Sequence, residues 1–141
     1  MVRVGTEINK MNVLVLMNHQ LTPIQEKELK TEYFINKIIY PDKSIEKLWS
    51  SIKPEKELNI KMLDKIILWL SRNSYSGDYC IIQGEFGATF YLVDYCFKKK
   101  LIPIYAASGR EYKEEILEDG SVKRVHIFRH VNFRKYIRYK V

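Results

Sequence analysis

Cysteine, proline, glycine and long apolar runs are all scarce in this 141-residue chain, which has two Cys, four Pro and six Gly. Two cysteines sixteen positions apart, Cys80 and Cys96, argue against a disulfide-built scaffold, and neither has a second Cys or a His at metal-ligand spacing. Both read as buried, reduced thiols of a cytoplasmic protein. The three histidines, His19, His126 and His130, form no metal-binding pattern, so no metal and no cofactor is expected. The longest apolar runs, Val13–Met17 and Ile66–Leu70, fall far short of the roughly 18 residues of a membrane span. The N-terminus shows no secretory pattern. Acid is missing from one segment: residues 121–141 hold Lys123, Arg124, Arg129, Arg134, Lys135, Arg138 and Lys140 and no Asp or Glu. Without those seven the chain has 17 basic against 17 acidic residues, so the net charge of +7 describes its end and not its body.

With 46% hydrophobic residues the chain can build one core, and its length suits one domain of about 100–150 residues. Residues 1–10 lack periodicity and read as an N-terminal extension, with the domain following over 11–141. Asn12–Met17 (NVLVLM) is a continuous aliphatic run, as expected for a strand covered on both faces. Thr22-Pro23 then opens a helix to about Glu32. Phe34–Tyr40 returns to strand composition. Asp42 or Ser44 can cap a short helix carrying Ile45, Leu48, Trp49 and Ile52 on one face, and a longer helix is expected over Glu55–Ser71.

Tyr79–Gln83 and Leu101–Ala106 read as two more buried strands, separated by a Gly84–Gly87 break and a helix over Ala88–Lys100. Alternating strands and helices with short links predict a small Rossmann-like, mainly parallel α/β sheet flanked by helices. Beyond it, Glu111–Leu117 and Val122–Phe128 flank Asp119-Gly120, a hairpin signal, which predicts antiparallel edge strands at the C-terminal end.

Ligands of such sheets bind beyond the carboxyl ends of the strands, where three polar connections are expected: Asn18–Thr22, Gln83–Thr89 and Ala107–Arg110. In the middle one, Gly84 and Gly87 precede a helix whose N–H groups and Thr89 hydroxyl suit a phosphate, although the pattern matches neither a dinucleotide fingerprint nor a P-loop. A plain strand-to-helix turn fits equally well. Glu85 is either an acceptor for a base or ribose or a favourable acid at a helix start. His19, beside Asn18 and Gln20, has a residue type suited to proton transfer near neutral pH; a hydrogen-bonding surface histidine fits the same position. Ser108-Gly109-Arg110 offers a hydroxyl, a flexible link and a phosphate-binding guanidinium, or a solvated loop.

The basic end interleaves Phe128, Phe133, Tyr136 and Tyr139 with Arg129, His130, Arg134, Lys135 and Arg138. That mixture suits base stacking and phosphate neutralisation, including binding of long nucleic acids. An edge strand guarded by basic residues accounts for most of it too.

Four blocks in this order, MNHQLTP, GDYCIIQGEFGATFYLV, LIPIYAASGRE and VHIFRHVNFRKY, resemble a family of small CRISPR-associated proteins of type III systems, each a single CARF-like Rossmann domain. The resemblance spans roughly Met11–Tyr136, and Gly77–Val93 and Val125–Tyr136 are its strongest parts. It implies a cyclic oligoadenylate ligand, cyclic tetra-adenylate first, held across a homodimer. The implied activity is that of a ring nuclease or of a non-catalytic sponge. Cleavage of this type needs no metal: a ribose 2′-OH attacks its own 3′-phosphate. On that basis the candidate catalytic residues are His19, Arg110 and His130. The candidate ligand contacts are Asn18, Gln20, Gln83, Gly84, Glu85, Phe86, Gly87, Thr89, Ser108 and Gly109.

Overall fold

The computed structural model describes residues 10–140, so the expected N-terminal extension lies outside the described residues except for Lys10. Their elements run β1 (Met11–Leu16), α1 (Pro23–Glu32), β2 (Ile35–Ile39), α2 (Lys43–Ser50), α3 (Ile60–Asn73), β3 (Tyr79–Ile82), α4 (Phe86–Lys98), β4 (Ile102–Ile116) and β5 (Val122–Lys135). The strands form one five-stranded sheet in the order β2-β1-β3-β4-β5. The first four are parallel, and β5 runs antiparallel along the β4 edge. The expected small Rossmann-like sheet with an antiparallel C-terminal edge is the observed fold.

The aliphatic run of β1 is explained by its central place. Val13, Val15 and Met17 enter one core layer with Leu29 of α1, Ile81, Ile104 and Phe133. Leu14 and Leu16 enter the other, with Trp49 of α2, Leu63, Ile66 and Leu70 of α3, Ile82, and Leu92 and Cys96 of α4. Thus α1 covers one face of the sheet, and α2, α3 and α4 cover the opposite one. At the amino edge the fully buried Asp78 accepts from the Asn12 and Tyr75 N–H groups at 3.0 and 2.8 Å, tying β1 to the turn before β3.

Three expected boundaries are corrected. The long helix begins at Ile60 and not near Glu55, because Asn59 caps the Met62 N–H at 3.1 Å and Lys56 upstream has φ 62°, a left-handed conformation that a helix cannot include. The helix after β3 begins at Phe86 and not at Ala88, because the Glu85 carboxylate caps the Ala88 N–H at 2.7 Å. The expected connection Ala107–Arg110 does not exist: Leu101–Ala106 and Glu111–Leu117 are parts of one 15-residue strand, β4. Its polar middle stays extended because it pairs with β5 from Ile104↔Lys135 to Ile116↔Val122, with one irregularity between Ala107 and Ser108. The hairpin closes as expected at Asp119-Gly120, where Gly120 has φ 84° and the Leu117 N–H reaches the Ser121 carbonyl at 2.8 Å.

Since β3 ends at Ile82, β4 and β5 outrun the rest of the sheet as a two-stranded arm. From Ser108 to Ile116 the arm extends about 30 Å, at about 3.4 Å per residue.

Candidate functional site

In a 2-1-3-4-5 order the chain reverses direction across the sheet between β1 and β3, and the links leaving those two strands diverge to opposite faces. The β1–α1 link carries Asn18, His19 and Gln20, and the β3–α4 link carries Gln83 to Glu85. Register places them side by side, since Leu16 pairs with Ile82 and the Gln83 N–H continues the ladder to the Leu16 carbonyl at 2.9 Å. Asn18, His19 and Gln20 are exposed and share with Tyr40 and Glu46 a cavity of about 260 Å³. Tyr40 donates to Glu26 at 2.8 Å, and its pKa is pushed up to about 12 by burial and by that carboxylate, so it remains a neutral donor.

The β3–α4 turn is held from beneath. Gln83 accepts on its side-chain oxygen from the Ala106 N–H at 2.7 Å and on its carbonyl from the Trp49 indole N–H at 3.0 Å. Gly84 is required by that indole: a Cβ there would lie 2.8 Å from the ring. Its role is close packing against Trp49. The carboxylate of Glu85 stands over the first turn of α4, where a phosphate bound at this helix start would otherwise sit. Phe86 and Gly87, the first two helical residues, have no carbonyl within the helix to bond. The Phe86 ring is 93% exposed. The Thr89 hydroxyl is buried and has no hydrogen-bond partner among the described residues.

Ser108, Gly109 and Arg110 do not converge on the crevice as a loop. They occupy successive places in β4, opposite His130, Arg129 and Phe128. Arg110 stacks over the Phe128 ring at 5.1 Å, four residues and so about 13 Å beyond Ala106. His130 turns into α1. Its Nε2 lies 2.6 Å from Glu28 Oε1 and its Nδ1 3.2 Å from Gln25 Nε2, while Glu28 Oε2 accepts from the Phe133 N–H at 2.9 Å. The Gln25 side-chain oxygen already accepts from the Thr22 N–H in a capping box, so its amide nitrogen donates to Nδ1. Nε2 therefore carries the proton that Glu28 receives, and both ring nitrogens are engaged.

Comparison with known proteins gives a family. The family described as "Uncharacterized protein MJ1673 family" matches residues 11–134. The chain belongs to the MJ1673 family. A relative from Methanocaldococcus jannaschii, named "Uncharacterized protein MJ1673", is 35% identical over 124 residues, covering 88% of this chain and 95% of the relative. No solved structure gives a match. The matched region of this MJ1673-family chain takes in the crevice turns, the arm and the Gln25–Glu28–His130 joint.

Sequence reasoning missed that joint and the supports of the glycine turn. The Thr22-x-x-Gln25 spacing signals the capping box, but nothing in the sequence pairs α1 with a histidine more than 100 residues later. A groove of about 610 Å³ between α1 and β5 contains none of the candidate residues. Cys80 and Cys96 are free and buried, and the Cys80 thiol is pushed well up by its hydrogen bond to Cys96 and by burial, which leaves it unreactive. Among the described residues no helix is long and apolar enough to cross a membrane.

Proposed function

We propose that the protein is a cytoplasmic accessory of type III CRISPR systems that binds cyclic tetra-adenylate as a homodimer and opens the ring without a metal. The observation that carries this reading is the pair of polar turns, Asn18–Thr22 and Gln83–Gly87, on the two lips of the β1/β3 crevice, where Rossmann-like sheets hold nucleotides. The resemblance of the four sequence blocks to the type III family supplies the ligand class. The exposed Phe86 ring offers a stacking face for an adenine, and the exposed Glu85 carboxylate an acceptor for its amino group.

In the reaction the ribose 2′-oxygen bonds to the adjacent phosphorus as the P–O5′ bond breaks. The 2′-OH loses its proton, the 5′-oxygen gains one, and the products end in a 2′,3′-cyclic phosphate and a 5′-hydroxyl. His19, exposed at the crevice, takes the proton; His130, with both nitrogens engaged, holds the arm to α1 instead. The Gln83 side-chain amide nitrogen donates to the phosphate oxygens, since the Glu85 carboxylate occupies the helix start.

A non-catalytic sponge is the second reading, favoured by one observation: His19 forms no hydrogen bond to another described residue, so nothing orients it as a base. Incubation with cyclic tetra-adenylate in EDTA, followed by chromatography, separates the two. Cleavage is expected in the wild type. His19→Ala should slow single turnover at least tenfold with binding within twofold, and Phe86→Ala should weaken binding about tenfold, as loss of one stacked base does. An intact ring after long incubation with excess protein that binds it tightly establishes the sponge. Absence of binding ends both readings.

A further inference from the structure

The acid-free segment 121–141 divides into two parts by what its cations meet. In the arm they meet carboxylates: Arg124 bridges Glu114 at 3.3 Å and Arg129 bridges Glu111 at 3.2 Å. Arg134, Arg138 and Lys140, at the base of the arm and beyond it, form no ion pair with a described residue. Phe133 is buried on the α1 side, so strand alternation turns Arg134 to the α4 side. Arg138 lies there too, its guanidinium over the Phe97 ring of α4 at 5.2 Å. The unneutralised charge of the segment thus collects beside α4.

A groove of about 360 Å³ runs there between α4 and residues 136–139. Its lining is largely aromatic and uncovered: Phe90 is 77% exposed, Ile137 85% and Tyr139 93%. An apolar patch of this kind with a polar rim marks an interaction site. Asp94 is the one acid among the lining residues, and Lys98 bridges it at 3.1 Å.

We infer that this groove binds single-stranded nucleic acid, with Phe90 and Tyr139 stacking on unpaired bases and Arg134, Arg138 and Lys140 meeting phosphates. Stacking rings and a positive groove that follows the backbone are the two things such a strand requires. The Phe97 ring beneath Arg138 orients its guanidinium, and with no carboxylate to serve, its N–H groups are left for a phosphate. A second copy of the chain fits this face poorly. It would bring the same unpaired cations against their twins, with only the already bridged Asp94 to offset them. The inference does not rest on the cyclic oligoadenylate reading, because the groove shares no residue with the crevice turns.

The experiment is fluorescence anisotropy of a labelled oligouridylate of about twelve nucleotides, a length within the range of single-strand sites, with circular dichroism to confirm that each variant is folded. The wild type is expected to bind, and a matched duplex, whose bases are already stacked, to bind at least about fivefold more weakly. Phe90→Ala and Tyr139→Ala should each weaken binding about fivefold or more, the lower end of the loss of one stacked base. Tyr139→Phe, which keeps the ring, should bind like the wild type. Three phosphate contacts give a slope of log affinity against log salt of about −2, and Arg138→Gln should make it shallower by about 0.7. No binding at about 50 mM salt, equal retention of the duplex, or ring variants that bind like the wild type would each overturn the inference. An equal loss in Tyr112→Ala, an exposed ring of the arm, would move the contact there and overturn it as well. Sedimentation of the protein alone covers the remaining occupant: a dimer that Phe90→Ala dissociates, with no oligouridylate bound by the wild type, would give the groove to a second copy.

Discussion

Residues 13–16 of β1 are buried on both faces, whereas residues 111–124 of the arm are exposed on both, although the two stretches belong to one sheet. In the body each strand residue is fixed by a core layer, so side-chain identity there is a packing matter. In the arm the same backbone geometry is held by cross-strand pairs worth roughly 0.2–1 kcal/mol each. The difference teaches where tolerance lies. The turns beside the crevice are braced by buried groups such as Trp49, while the arm can vary without disturbing the core and is joined to the body mainly at Glu28 and His130.

The largest contrast is expected between two glycines. At Gly84 a Cβ would sit 2.8 Å from the Trp49 ring, which is 2% exposed and pinned by its bond to Gln83. Gly84→Ala should therefore cost about 2–3 kcal/mol, as overpacking in a core does. At Gly109, in the arm, the nearest atom to a Cβ is Val131 Cγ2 at 3.4 Å, an ordinary contact. Gly109→Ala should be neutral or stabilise by up to about 1 kcal/mol, by restricting the unfolded chain. Urea unfolding of both variants measures this; equal losses would mean that the arm is as tightly packed as the crevice turn.

A smaller effect is expected at the joint. Glu28→Gln leaves one side-chain oxygen where two bonds now end, on His130 Nε2 and the Phe133 N–H, and should cost about 1–2 kcal/mol. Hydrogen exchange should quicken in residues 128–133 with β1 and β3 unchanged. Equal quickening throughout would show arm and body to be one cooperative unit.

The same contrast explains what the sequence made legible. The α1 bounds, Pro23–Glu32, are those expected, because Thr22, Pro23 and Gln25 signal a helix start locally. The β1, β3 and α2 segments were readable because burial on two faces or on one stripe leaves a period in the residues. Ser108-Gly109-Arg110 reads as a loop in the sequence, because small and polar residues suit a solvated ribbon equally well and its partners Arg129 and His130 lie some twenty positions away. Gly84 suits a phosphate or a plain strand-to-helix turn equally well in the sequence, since the neighbour that decides for the turn, Trp49, belongs to another helix. Asn18, His19 and Gln20 were placed correctly at the carboxyl end of β1, because a strand end is a local property.

The smallest effect tests how firmly the base of the arm is tied to β3. Tyr136, just beyond β5, donates its hydroxyl proton to the Ile82 carbonyl at 2.6 Å and packs its ring against Tyr105 at 4.8 Å. Burial, with a contribution from Tyr105, pushes its pKa up to about 12 from the ordinary value of 10. A raised folded-state pKa means that the neutral phenol is the form the fold stabilises. Its contribution is complete below pH 10 and is lost as the pH rises toward 12. Tyr40, pushed up to about 12 by burial and Glu26, adds a loss over the same window. Tyr136→Phe should cost about 1 kcal/mol at pH 7, the net worth of one hydrogen bond, and should make the decline between pH 10 and 12 shallower. Tyr40→Phe in addition should flatten it further. Urea midpoints at pH 8, 10 and 11.5 measure both, and an alkaline decline of the same steepness in Tyr136→Phe would mean that this phenol reaches water as freely as the exposed aromatics of the arm.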